Sequence, residues 1–212
     1  MRIIRGTLKS RRFSIPKNFP SRPTTDFAKE GLFNILENTF SLHDLDILDL
    51  CAGTGNITYE FASREAGKIL AVDTNYNCCK FIQKMVSENN LQEIVSVLKS
   101  DIRDFVRKTE RKFDLIFLDP PYESTFYEEV IQNIYERSLL QKDGLLVVEH
   151  SKRKDLSHLP HFEKVKDYGG VCFSFFGPSS ASGSENSEGS SSASGIENSD
   201  GASSASATLV DE

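Results

Sequence analysis

Five short apolar runs, Asp46 to Leu50, Lys68 to Val72, Ile94 to Leu98, Phe113 to Leu118 and Gly144 to Glu149, are separated by helical stretches. That alternation limits the fold more than any other feature of the chain. Repeated strand and helix units of this length build a mostly parallel sheet covered on both faces, a doubly wound α/β domain. Ligands then belong in the crevice at the carboxyl ends of the strands.

The flanks add three expectations. Between Thr24 and Phe40, Ala28, Leu32, Ile35, Leu36 and Phe40 recur at steps of three and four, which predicts an amphipathic helix. Arg2 to Pro16 reads as a short hairpin of imperfect alternation. Phe162 to Tyr168 and Val171 to Phe176, around Gly169-Gly170, read as a terminal antiparallel hairpin at one sheet edge.

Charge divides the chain further. The net charge of -6 is concentrated in the tail, which from Pro178 onward holds Glu185, Glu188, Glu197, Asp200, Asp211 and Glu212 and neither Lys nor Arg. The body that remains is balanced, with 25 bases and 25 acids. Arg2, Arg5, Lys9, Arg11, Arg12, Lys17 and Arg22 precede the first acid, Asp26, so the amino terminus is a basic arm. The tail repeats Ser-Ser-Ala-Ser-Gly at Ser179 and Ser191 and offers almost no residue able to form a core. Its composition predicts disorder. The expected organisation is a basic hairpin arm over 1–22, a catalytic domain over 23–177 and a disordered acidic tail over 178–212.

No run of about 18 apolar residues occurs, and the charged opening lacks the apolar stretch of a signal peptide. A soluble cytoplasmic protein without membrane contact is expected, monomeric as a first expectation. Cys51, Cys78, Cys79 and Cys172 form no C-x-x-C pair, and His43, His150, His158 and His161 stand at no metal spacing, so reduced thiols and no metal are expected.

The chemistry-bearing residues follow the strands. Ile47-Leu48-Asp49-Leu50-Cys51-Ala52-Gly53-Thr54-Gly55 sets a Gly-x-Gly loop between an apolar strand and a helix. Such glycines let backbone approach a ligand, and the helix start offers free N–H groups. Alone, the loop also fits any tight strand-to-helix turn. Asp73 ends the next strand, where an acid can accept from both ribose hydroxyls. Position 58 is Thr58, so the third glycine of a dinucleotide fingerprint is absent and a nicotinamide cofactor loses ground. Asp101 can accept from a cofactor's adenine amino group or cap the helix near Ile102, and these roles are not exclusive.

Phe117-Leu118-Asp119-Pro120-Pro121-Tyr122 is the most telling cluster. Asp119 and the Pro120 carbonyl can both accept from one amino group, the fixed torsions of Pro120 and Pro121 hold them in place, and Tyr122 can stack on a flat base. An exocyclic amine is a poor nucleophile because its lone pair is delocalised into the ring. Acceptors that grip its hydrogens favour a pyramidal nitrogen, ready to attack the methyl of a sulfonium.

Together these residues resemble the class I S-adenosylmethionine-dependent methyltransferases, with their Rossmann-like sheet. Met1-Arg2-Ile3-Ile4 with Gly6 and the basic run to Arg12, then Arg22-Pro23-Thr24-Thr25-Asp26 with Lys29-Glu30 and Leu32-Phe33-Asn34, narrow the likeness to bacterial 16S ribosomal RNA guanine-N2 methyltransferases. The resemblance implies a cofactor site at Asp49, Gly53, Gly55, Asp73 and Asp101, and a target-amine motif of Asp119, Pro120, Pro121 and Tyr122. It also implies a 16S rRNA target presented by a small ribosomal subunit or its assembly intermediate, with Arg22 to Asn34 near the active site; the basic arm, through Arg2, Arg5, Lys9, Arg11, Arg12 and Arg22, is the expected contact to that RNA. Ser10, Cys51, Glu65 and Asp73 depart from the residues common in the family, and the tail is foreign to it. Asp73 for the usual Glu bears on cofactor affinity rather than on the reaction.

Three rivals stand beside this reading. Adenine-N6 methylation suits Asp-Pro-Pro-Tyr equally well. Glutamine-N5 methylation of release factors uses a similar turn that normally starts with Asn. A catalytically silent RNA-binding module would need only the basic arm.

Overall fold

The computed structural model describes residues 1–178, so the acidic repeat tail expected to be disordered lies outside the described residues. Helix α1 (Asp26–Thr39) starts where Thr25 leaves extended geometry and its hydroxyl accepts from the Ala28 N–H at 3.2 Å. Then come β1 (Asp46–Leu50), α2 (Asn56–Ser63), β2 (Lys68–Asp73), α3 (Tyr76–Glu88), β3 (Val95–Lys99), α4 (Ile102–Lys108), β4 (Phe113–Leu118), α5 (Tyr127–Glu136), β5 (Leu140–Ser151), β6 (Phe162–Tyr168) and β7 (Val171–Phe176).

Side-chain alternation along the strands sorts the core into two layers. Ile47, Ile69, Ala71, Leu115, Phe117, Leu145 and Val147 face α1, α2 and α3. Leu48, Leu50, Leu70, Val72, Ile116, Leu118, Leu146 and Val148 face α4 and α5. Both faces of the central strands are therefore apolar, as a sheet buried on two sides requires.

The strands lie in the order β3-β2-β1-β4-β5-β7-β6. Pairs β1/β2, β2/β3, β1/β4 and β4/β5 are parallel. Strand β7 runs antiparallel to both β5 and β6. The terminal hairpin thus folds back so that β7 inserts beside β5, and β6 regains the direction of the body. The order reverses between β1 and β4, which places the crevice above their carboxyl ends.

Strand β5 is longer than its apolar run, because it begins at Leu140 and carries a register break against β4 between Phe113 and Leu115. Gln141, Lys142 and Asp143 bulge outward and are exposed, so no apolar alternation marked them.

The amino-terminal hairpin has one antiparallel bridge, Arg2 with Arg12, flanked by Ile3 N–H to Arg11 O (2.9 Å) and Phe13 N–H to Met1 O (3.0 Å). It packs on the domain: Ile3 and Phe13 are buried, and Phe13 meets Tyr59 edge to face. The Gly6 turn, with φ +88°, presses so close to the end of α2 that an added Cβ would lie 1.8 Å from Ser63 O. Only glycine tolerates that torsion and approach together.

Candidate active site

The crevice above β1 and β4 is a cleft of about 710 Å³. Gly53, Asp73 and Asp101 line one part of it, Asp119, Pro120, Pro121 and Tyr122 another, and Arg22, Pro23 and Thr24 its rim. Two sets of residues picked separately along the chain therefore meet in one space.

The loop after β1 uses positive φ at Cys51 (63°), Gly53 (56°) and Gly55 (74°). Cys51 holds this left-handed geometry with a side chain, a strain of order 1–3 kcal/mol that the packed surroundings must hold. Gly53 lies under the chain entering α1, where a Cβ would sit 2.4 Å from Ser21 Oγ. Gly55 caps α2 from behind the cleft, with the Tyr59 ring filling the space of its missing side chain. Of the two glycines, only Gly53 reaches the cleft.

Asp73 is fixed by backbone: Oδ2 accepts from the Gly53 N–H at 2.8 Å and Oδ1 from the Asn75 N–H at 2.7 Å. Each oxygen keeps a further lone pair for a ligand hydroxyl. Asp101 caps α4 through the Arg103 N–H (2.9 Å) and pairs with the Arg103 guanidinium, Nη2 to Oδ2 at 2.7 Å. The Arg103 hydrogen bonds hold its carboxyl down to about 2. Capping is thus its visible role, beside whatever acceptor capacity it offers the cleft. Asp49 stands behind the cleft on β1, buried and hydrogen-bonded by the Thr58 hydroxyl. Burial pushes it up to about 7, against the pull of Thr58.

The turn after β4 begins where the Asp119 N–H bonds Leu50 O at 3.1 Å and closes with the Ser124 N–H to Pro121 O at 2.8 Å. The Pro120 carbonyl accepts from the buried Tyr127 hydroxyl at 3.2 Å. That leaves it one lone pair for an amine and makes Tyr127 a positioning residue that sequence reading missed. The Tyr122 ring is 46% exposed, open for stacking.

Glu149, at the end of β5, is a second missed residue. It is buried in the cleft wall, and its Oε2 accepts from Thr24 Oγ1 at 2.9 Å. Burial raises Glu149 to about 7, while Thr24 and Tyr122 pull it back. Burial, then Glu149 and Asp49, raise Asp119 well above the usual carboxylate range. Tyr122 is pushed up to about 12 by burial and by Glu149. Burial thus disfavours the charged form of all three carboxyls, and a cation or hydrogen-bond donor entering the cleft would favour their ionisation. The sequence signal for Glu149 was its place: like Asp73 and Asp119, it is an acid at a strand's carboxyl end.

The basic residues do not gather. Arg22 lies on the cleft rim, and Arg2 pairs with Asp26 at 3.1 Å in the first turn of α1. Arg5 instead pairs with Glu37 (2.6 Å) in the last turn of α1, and Arg11 bonds Asn89 at the end of α3. Those helix ends lead into the amino-terminal ends of β1 and β3, away from the carboxyl ends that form the cleft. Lys9 and Arg12 are exposed. Among the described residues no cluster of His, Cys, Asp and Glu fits a metal ion, and no helix is long and apolar enough to cross a membrane.

The strand order, the glycine loop after β1, the acid after β2 and the Asp-Pro-Pro-Tyr turn after β4 define the class I S-adenosylmethionine-dependent methyltransferase fold. The family described as conserved hypothetical protein 95 matches residues 1–177, and the chain belongs to it, among bacterial 16S ribosomal RNA methyltransferases. "Ribosomal RNA small subunit methyltransferase D" of Haemophilus influenzae is 30% identical over 159 residues, 74% of this chain and 81% of its own length. The Escherichia coli protein of the same name is 27% identical over 177 residues, 78% of this chain and 84% of its own. The solved structure of yhhF from Escherichia coli matches with TM-score 0.73 at 25% identity, covering 84% of this chain and 97% of that one.

Proposed function

We propose that this chain transfers a methyl group from S-adenosylmethionine to the exocyclic N2 amine of a guanine in 16S rRNA. The observation that carries the reading is the meeting of Gly53 and Asp73 with Asp119, Pro120 and Tyr122 in one cleft. The names of its relatives support a small-subunit rRNA substrate.

The residues present fit the cofactor. The Gly53 backbone lies against its path, Asp73 would take the ribose hydroxyls and Asp101 the adenine amine. When bound, S-adenosylmethionine supplies a methyl carbon activated by a sulfonium. Asp119 and the Pro120 carbonyl orient the target amine's lone pair toward it, and Tyr122 covers the base. Asp119, held against the amine, would oppose the positive charge that the nitrogen gains on methylation. The methylated nitrogen would be acidic enough to lose its proton to water, without a dedicated base.

Asp73→Ala is expected to weaken S-adenosylmethionine binding about tenfold or more, since it removes ribose acceptors and frees Gly53. Unchanged affinity by calorimetry would remove Asp73 from the site. The proposed domain boundary after residue 177 carries its own expectation: deleting 178–212 leaves the melting temperature and basal transfer near wild type, because that composition contributes no core.

The test of function uses labelled S-adenosylmethionine, under-methylated small ribosomal subunits and nucleoside mass spectrometry after digestion. Labelled N2-methylguanosine is expected. Labelled N6-methyladenosine would replace guanine by adenine, and no transfer despite cofactor binding would turn attention to release factors.

A further inference from the structure

Glu149 has no part in gripping the target amine as described above, yet it is a nearly buried acid beside the residues that do. Its carboxylate lines the same cleft as Asp119, Pro120 and Tyr122. Thr24, from the chain entering α1, fixes it through Oε2 at 2.9 Å. A carboxylate offers about four acceptor sites, so contacts from Thr24 and Tyr122 leave capacity toward the cleft. The other charged or titratable groups around it are Asp119 and Tyr122 after β4 and Asp49 on β1; from β7, its register partner is the apolar Phe173. No cation among these neighbours neutralises it.

With Thr24 and Tyr122 as its donors and no cation beside it, the carboxylate has acceptor capacity that a donor entering the cleft can fill. Guanine supplies one. Its Watson–Crick edge sets the N1–H donor directly beside the N2 amine, so a pocket that selects guanine needs two adjacent acceptors. Adenine presents a bare N1 lone pair beside its amine, and a carboxylate facing that lone pair is repelled.

Resting on the guanine reading above, we infer that Glu149 is the base-discriminating residue, accepting from guanine N1–H while Asp119 and the Pro120 carbonyl hold N2. Thr24 is its positioning residue. The contact is strongest for the ionised carboxylate, since a protonated carboxyl keeps less acceptor capacity and gains a donor. With Glu149 raised to about 7, guanine preference is present above that pH and falls as pH drops through it, because the proton turns an acceptor into a donor.

The test separates recognition from folding. Full-length protein first methylates under-methylated small subunits, which locates the modified nucleotide. The 16S strand is then rebuilt by ligation with 2-aminopurine at that position, which keeps the C2 amine and lacks N1–H, and reassembled into subunits. Wild type is expected to prefer guanine by roughly 10- to 150-fold in kcat/KM, the range for a hydrogen bond to a charged group. In Glu149→Ala the two substrates approach parity. A structural role alone would slow both and leave the ratio, and that result overturns the assignment, as does a wild type indifferent to N1–H. If Glu149→Ala fails to fold, the near-isosteric Glu149→Gln is used, and its preference is expected to be flat with pH where wild type declines below about 7; parallel pH profiles overturn the assignment. Adenine methylation in the first step would remove the guanine reading itself, and the assignment with it.

Discussion

Asp119→Ala is expected to lower kcat by about 10- to 150-fold, the worth of a hydrogen bond to a carboxyl that is protonated in the empty site and becomes charged as positive charge enters the cleft. S-adenosylmethionine affinity, measured by calorimetry, is expected to stay near wild type, because Gly53 and Asp73, the residues proposed to hold the cofactor, line the other part of the cleft. A matching loss of cofactor affinity would contradict the role given to Asp119. Asp119→Asn keeps an acceptor without charge and should fall between the two. It also tests the electrostatics through stability. Burial and Glu149 raise the folded-state pKa of Asp119 above its unfolded value of about 4. Below about pH 4 both states hold the proton and the folded state carries no penalty. As pH rises toward the native value the unfolded chain gives up its proton and the folded one does not, so stability is lost. Asp119→Asn escapes that loss, and its melting temperature is expected to exceed wild type at pH 8, with the gain shrinking toward pH 4. An equal shift at both pH values would mean that charge is not the cause.

Much of this site was legible because it is written in continuous runs. Asp49 to Gly55 and Phe117 to Tyr122 each carry strand, turn and chemistry within a few residues, and the two runs end neighbouring strands. The hairpin over Phe162–Tyr168 and Val171–Phe176 was equally plain, since Gly169 and Gly170 take the positive φ its turn demands. The missed residues matter only through distant partners. Glu149 ends a strand like many acids; Thr24, 125 positions away, is what makes it part of a wall. Tyr127 belongs by periodicity to the apolar face of α5, and nothing in the sequence says that its hydroxyl reaches the Pro120 carbonyl. The basic arm reads as one unit in sequence, but the hairpin packed on α2 carries Arg5 and Arg11 to the ends of α1 and α3, where the strands begin, while Arg22 stays at the cleft. Charge pattern reports which residues share a segment, not which way a docked segment runs.

The largest stability effect is expected from a group that periodicity concealed. Lys29 falls on the apolar stripe of α1 between Ala28 and Leu32, and it is buried with no side-chain exposure. Its Nζ donates to Asn56 Oδ1 (2.9 Å) and the Arg2 carbonyl (2.5 Å) and pairs with Glu60 at 2.8 Å. Burial lowers its pKa, and Glu60 is the main influence holding it up. Glu60 also accepts from the Ile4 N–H (2.7 Å) and pairs with Arg64, whose guanidinium lies over Phe33. One carboxylate thus joins the amino-terminal hairpin, α1 and α2. Glu60→Ala leaves a buried cation without its main partner, at a cost of roughly 3–5 kcal/mol, or about 6–20 °C in melting temperature for a domain of this size. Lys29→Met combined with Glu60→Leu removes both charges and should recover part of that loss, since a buried ion pair is often matched by apolar residues of similar volume. Recovery should be incomplete, because the Ile4 N–H then lacks its acceptor. The same network continues through the Asn56 side chain to the Thr24 carbonyl (2.9 Å), and from Thr24 to Glu149. Below its melting temperature Glu60→Ala should therefore bind S-adenosylmethionine normally but discriminate bases less well. A single variant that melts with wild type would show that Lys29 sheds its proton at little cost and that the pair does not hold the hairpin to the domain.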